Sequence, residues 1–227
     1  NQIVIKNDTI VFPREGKNIM LIYKLFYNTN AAAQYRKGIL VMGSGNNETN
    51  PTEGSLNGAS ENALCNQAVQ AGYIAAVVRY TAGPGIANWN ASAQLLAADY
   101  DACLSNVATK FNIPKSNSVV GGVSYAGFML LTANAYYPTL NYCKGLLAPC
   151  SATSLDAASK FQIPVFNICC KGGYESGDGN QTGTILYNAI NPAVKSKSEC
   201  IIDNSCQSHC GSNWTSELFQ KLQVWLP

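Results

Sequence analysis

Val119-Val120-Gly121-Gly122-Val123-Ser124-Tyr125-Ala126-Gly127 sets a serine between a short apolar strand, Ser118 to Gly122, and a helix opening at Tyr125. A turn of that kind is sharp and strained. It lifts the serine hydroxyl above the edge of a sheet, and strand and helix can approach each other only if the residues two before and two after the serine are small. Gly122 and Ala126 occupy those positions, Ala126 standing where the strict G-x-S-x-G pattern has glycine. The competing explanation of the same letters is a Gly/Ser-rich turn in which Ser124 merely caps a helix.

Outward from this turn, the chain alternates between short apolar strands and helices. On the N-terminal side, Gln2 to Lys6, Asn18 to Tyr27 and Gly38 to Met42 read as strands. A polar loop follows Gly43-Ser44-Gly45, then a helix near Ser60 to Ala71, the strand Ile74 to Val78 and a helix from about Ala91 to Phe111. Beyond the serine come strands at Cys143 to Ala148, Ile163 to Cys170 and Glu199 to Ile202, a helix around Thr184 to Ile190 and a closing helix from Trp214 to Trp225. Continuous apolar strands between helices are what a mostly parallel sheet covered on both faces requires, because its strands are buried on both sides. With no internal repeat, linker or low-complexity stretch, the expectation is one α/β domain over residues 1–227.

Composition narrows the function classes. Hydrophobic residues make up 47% of the 227 and charged residues 12%, about half the charge of an ordinary soluble domain at ~25%. The surface must therefore be covered largely by Asn, Ser, Thr, Gln and Tyr, as in exported proteins. A formal charge of +2, without basic runs or Arg-aromatic clusters, argues against a nucleic-acid partner. No stretch reaches the roughly 18 apolar residues of a membrane span. Asn1 to Lys6 lacks the features of a signal peptide, so the chain is expected to start at a mature terminus.

The cysteines at 65, 103, 143, 150, 169, 170, 200, 206 and 210 are many for a compartment that keeps thiols reduced. An exported protein with up to four disulfides and one odd thiol fits them, the adjacent Cys169 and Cys170 facing opposite ways on a strand and serving different partners. Cys200, Cys206 and Cys210 cluster near the end of the chain and suggest a stapled loop there. The sequons at Asn7, Asn47, Asn90, Asn180 and Asn213 suit a secreted glycoprotein.

The turn around Ser124 and the strand order around it resemble the α/β-hydrolase family, over nearly the whole chain from the strand ending at Met42 to the last helix. The resemblance implies a serine hydrolase fold with a mostly parallel central sheet, helices on both faces and no large cap. It also implies a general base after the last strand, and the chain's one histidine, His209, lies there, 85 residues after Ser124 in the loop Cys206-Gln207-Ser208-His209-Cys210-Gly211. A zinc set of Cys200, Cys206, His209 and Cys210 is the competing use of that loop, but its spacing is not that of a common finger or ribbon. The family's third member is a carboxylate between Ser and His in sequence, and the acids there are Asp156, Glu175, Asp178, Glu199 and Asp203. Glu175, three residues after Gly172, matches the G-x-x-[DE] spacing of family members; Asp178 is the alternative. For the oxyanion, the resemblance implies the N–H of Tyr125 and a second donor, Ser44 or Gly45, from a loop in which Met42 replaces the family's His.

Fewer than twenty residues lie between the strand ending near Ala148 and the one beginning at Ile163, which leaves little room for a helical cap and implies an open site. Trp89, Tyr80, Tyr125 and Trp214 are placed to surround it. The expected activity is hydrolysis of a small-molecule or polymeric ester by Ser124, His209 and Glu175, with no cofactor. The alternatives are a catalytically silent hydrolase-like binding protein, or a peptidase or acyltransferase with the same triad.

Overall fold

A computed structural model describes residues 2–29, 36–46, 53–81 and 88–227. β1 (Ile3–Arg14) and β2 (Lys17–Asn28) form a long antiparallel hairpin turned at Glu15-Gly16, both with positive φ. Such a turn matches the twist of paired strands. β1 runs well past the Lys6 expected from the sequence. It is the outer strand of the sheet and has no fully buried residue, so its apolar alternation is diluted, and Pro13 is tolerated there because an edge strand need not donate on both sides. Its far end is anchored where Arg14 pairs with the buried Asp99 at 2.8 Å.

The rest alternates as the sequence predicts: β3 (Ile39–Gly43), α1 (Ala59–Gln70), β4 (Ile74–Arg79), α2 (Trp89–Phe111), β5 (Ser118–Gly122), α3 (Tyr125–Tyr136), β6 (Leu146–Pro149), β7 (Thr153–Ser154), α4 (Leu155–Ala158), β8 (Val165–Cys170), β9 (Asn180–Gln181), α5 (Gly183–Ala189), α6 (Pro192–Lys195), β10 (Glu199–Asp203) and α7 (Thr215–Trp225). Two strands start later than expected. Cys143 closes a turn onto the Leu140 carbonyl, delaying β6, and Pro164, which has no N–H to give a ladder, delays β8. The miniature β7–β9 pair and the short α4 and α6 carry too few residues for a periodic signal.

Eight strands form one sheet in the order β1-β2-β4-β3-β5-β6-β8-β10, antiparallel through β4 and parallel from there on. Alternate residues feed two cores. Ile39 and Val41 of β3 with Ile74, Ala76 and Val78 of β4 face the layer of α2 and α3, while Leu40, Met42, Ala75 and Val77 face α1 and α7. This is the α/β-hydrolase fold, without a large cap: β7 and α4 alone occupy the segment between β6 and β8. The connections reverse direction around β3, whose partners are β4 on one side and β5 on the other. The crevice at the carboxyl ends of strands flanking such a reversal is where open α/β sheets bind ligands, and here it brings the loop after Gly43 beside the turn at Ser124.

Among the described residues no helix is long and apolar enough to cross a membrane. Two disulfides form, fewer than the four the cysteine count allows, and Cys65, Cys103, Cys143, Cys169 and Cys200 are free. The sheet itself keeps several apart: Cys65 lies in the α1/α7 core, Cys103 and Cys143 in the other. The sequon at Asn47 lies outside the described residues.

Candidate active site

Ser124 has φ 52° and ψ −118°, a conformation non-glycine residues seldom adopt, and with Val123 it makes the two-residue turn between β5 and α3. The turn is held from three sides. The Val123 N–H donates to the Gly43 carbonyl at 3.0 Å, the Ser124 N–H to the Pro149 carbonyl at 3.2 Å, and the Ser151 hydroxyl to the Ser124 carbonyl at 3.0 Å. Strand and helix meet so closely that a β-carbon on Gly122 would lie 2.6 Å from that of Ala126, which is why both positions are small.

The Ser124 hydroxyl lies 2.7 Å from His209 Nε2, and His209 Nδ1 lies 2.8 Å from Glu175 Oε1. An ionised carboxylate can only accept, so Nδ1 carries the proton and Nε2 is left to accept from the serine. Glu175 is 2% exposed. It sits in the loop after β8, which abuts the histidine loop at Gly172, where a β-carbon would collide with the Gln207 backbone. That contact gives the glycine three residues before the acid a physical purpose. The other four acids point elsewhere. Asp178 is exposed with positive φ and lines the groove described below. Asp156 binds Tyr136 and Lys160, Glu199 pairs with Lys221, and Asp203 accepts from Trp214 Nε1.

Both disulfides end in the histidine loop. Cys206 is joined to Cys170, the last residue of β8, and Cys210 to Cys150, the residue after β6. Only three residues, Gln207, Ser208 and His209, lie between the two ties. The set Cys200, Cys206, His209, Cys210 therefore cannot serve zinc here, since Cys206 and Cys210 are spent in bridges and Cys200 sits at the opposite end of β10.

Tyr125 opens α3, where a backbone N–H has no partner within the helix. Across the crevice, a β-carbon on Gly45 would stand 3.5 Å from that of Ser124, so this loop adjoins the hydroxyl directly. The loop is braced by buried Ser44, whose carbonyl accepts from the Tyr80 hydroxyl at 2.7 Å and whose hydroxyl oxygen accepts from the Ser55 N–H at 2.7 Å. Tyr80 thus supports the loop instead of facing the site, and burial pushes its phenol up beyond the usual range. Trp214 is buried, bonded to Asp203.

A groove of about 670 Å³ runs from Ser124 along α3. Tyr125, Phe128, Thr132 and Tyr136 line it at helical spacing, a face of about 16 Å at 1.5 Å per residue. Trp89 stands edge-on to Phe128 with ring centroids 5.6 Å apart and donates to Thr132 Oγ1 at 2.7 Å. Tyr174 lies against His209, ring centroids 4.2 Å apart, while 72% exposed. Phe128, Tyr136 and Tyr174 escaped the sequence reading. The spacing of the first two on the helix after the serine was a usable signal, whereas Tyr174 had none.

No protein-family model matches this chain, and no curated protein matches it by sequence. Solved structures do. A ferulic acid esterase is similar at TM-score 0.66 and 13% identity, over 100% of this chain and 99% of that one. A thermostable esterase is similar at TM-score 0.63 and 12% identity, over 97% of this chain and 62% of that one. Dipeptidyl peptidase 4 from Porphyromonas gingivalis is similar at TM-score 0.65 and 13% identity, over 97% of this chain; the chain spans 35% of that peptidase's length.

Proposed function

We propose that this chain, which has the α/β-hydrolase fold, is a secreted serine hydrolase of carboxylic esters. The observation that carries the proposal is the unbroken hydrogen-bonded series Ser124–His209–Glu175 at a strained strand-to-helix turn. His209 Nε2 takes the hydroxyl proton as Ser124 Oγ attacks the ester carbonyl. Glu175 fixes the tautomer and stabilises the imidazolium. The N–H groups of Tyr125 and of Gly45 or Ser44 hold the oxyanion in the tetrahedral intermediate. Collapse expels the alcohol, which takes its proton from His209, and water then releases the acid by the same steps in reverse roles.

The chemistry uses no cofactor. The groove along α3 lies open beside Ser124, and its aromatic walls with Thr132, Thr153 and Asn180 among them suit a small or polymeric ester carrying both apolar and hydroxyl-rich parts. Two disulfides and the low charge support an extracellular site of action, with the exposed sequons at Asn7 and Asn213, away from the groove, as glycan acceptors. The ferulic acid esterase, matched over 99% of its own length against 35% for the peptidase, favours an ester over a peptide substrate.

The test is labelling of the oxidised protein with a fluorophosphonate, followed by peptide mapping. Stoichiometric label on Ser124, abolished in His209→Ala, is the expected result. A folded protein that takes no label is instead a silent binding module.

A further inference from the structure

The Cys150–Cys210 bridge lies against the base itself. One ligand atom each from Cys150, His209 and Cys210 fall within 4.8 Å of one another, and the bridged Cα atoms are 5.3 Å apart. We propose that when a dithiol opens this bridge, Cys150, Cys210 and His209 become a zinc site whose occupation takes the base away from Ser124. The inference rests on the assignment of His209 as the base.

Geometry and access both favour it. Zn–S bonds of about 2.3 Å and a Zn–N bond of about 2.0 Å at tetrahedral angles separate the sulfurs by about 3.8 Å and each sulfur from nitrogen by about 3.5 Å. The donors thus need shifts of only about 1 Å from a span of 4.8 Å. A cavity of about 20 Å³ bounded by Val123, Pro149, Cys150, Cys210 and Ser212 adjoins the bridge, which leaves room for the sulfurs to part. Cys210 is partly exposed, whereas Cys150, Cys170 and Cys206 are buried, so a reductant reaches this bridge before the other. Both ring nitrogens of His209 are committed, Nε2 to Ser124 and Nδ1 to Glu175. Metal capture through either one breaks the series, and catalysis and zinc binding exclude each other.

In the chemical step a dithiol's thiolate attacks Cys210 Sγ and Cys150 leaves as thiolate. The reductant's second thiol resolves the mixed disulfide, closing its own S–S bond and releasing Cys210. Two electrons pass from the dithiol to the bridge, and zinc displaces the protons that the two cysteines have taken up. The remaining free thiols compete poorly: Cys65, Cys103, Cys143 and Cys169 are buried, and burial pushes the thiol of Cys200 up to about 12.

The experiment compares oxidised protein, dithiol-treated protein freed of the reductant without air, and Cys150→Ala/Cys210→Ala treated identically. Each is titrated with Co²⁺ as a coloured substitute for zinc, and then with Zn²⁺ while turnover of an aryl ester is followed. The treated wild type is expected to bind one Co²⁺ with a thiolate-to-cobalt charge-transfer band. One equivalent of Zn²⁺ then lowers its turnover at least tenfold, reversibly by chelator, and the other two samples show neither effect. No band, an equal band in the double variant, or equal inhibition of the oxidised enzyme overturns the proposal. Loss of near-ultraviolet dichroism together with metal uptake on reduction overturns it as well. A band in protein whose turnover is insensitive to His209→Ala upholds the metal site and overturns the assignment of the base.

Discussion

Ser124 is held by its own neighbours: a strand of five residues, a helix of twelve, small side chains two positions away on each side, and backbone hydrogen bonds to Gly43 and Pro149. His209 has no such local frame. Its loop has no helix or strand of its own, and what fixes the imidazole is a covalent tie on either side, to Cys170 and to Cys150, and the buried Glu175. The small-residue frame of the first is written in nine consecutive letters, with Gly43, Pro149 and Ser151 bracing it from outside. The second joins three stretches far apart in the chain, at Cys150, at Cys170 to Glu175 and at Cys206 to Cys210, and no single stretch of sequence contains it.

The comparison breaks first at the level of chemistry. Ser124→Ala and His209→Ala should each lower kcat by about 10⁴-fold or more, since a serine and its base act as a unit; near-wild-type turnover of an aryl ester in either would sink the shared role. Next in size are the two loop acids. Glu175→Gln should cost about 10³- to 10⁴-fold in kcat, as loss of the tautomer-fixing carboxylate does elsewhere, whereas Asp178→Asn should stay within about twofold because Asp178 touches neither ring nitrogen. A reversed order would reassign the acid.

Stability should separate the regions in the other direction. Cys150→Ala/Cys210→Ala opens a loop of 60 residues, and urea titration should show a loss of roughly 3 to 4 kcal/mol. An unchanged midpoint would mean that the tie constrains nothing. At the elbow the sign flips: Ser124→Gly should be more stable than Ser124→Ala by about 1 kcal/mol, because glycine accepts a φ of 52° without strain. Equal midpoints would show that the turn stores no strain.

A second buried glutamate sharpens the role of Glu175. Glu61, at the start of α1, is 3% exposed, and its Oε2 has no hydrogen-bond partner among the described residues. Desolvation raises its pKa to about 7, against a smaller opposing effect of its own backbone N–H. The folded state thus holds this proton to higher pH than the unfolded chain does. The resulting stabilisation is complete below about 4.5, the ordinary value, and is lost as pH rises through about 7. Glu61→Gln should therefore gain on the wild type between pH 5 and pH 8 in urea titrations, and parallel curves would remove burial as the cause.

The same contrast explains what was legible. The strand-helix alternation, the turn at Ser124 and the position of His209 after the last strand follow from local pattern and chain order. Glu175 stands three residues after Gly172, and the approach of Gly172 to the Gln207 backbone accounts for that glycine. The long β1 was missed because an edge strand buries little. The pairing of cysteines was unreadable, because it depends on which loops converge at one end of the sheet. Tyr174 sits on the imidazole by virtue of a loop path that no periodicity announces.

The order of Ser124 and His209 along the chain bears on how the molecule is made. Domains fold as units, yet the elbow at Ser124 is made well before the loop that must join it. Both cross-links that define that loop reach backwards, to residues 60 and 36 positions earlier. On the proposed assignment, the serine is therefore synthesised 85 residues ahead of its base, and both cross-links wait for Cys206 and Cys210.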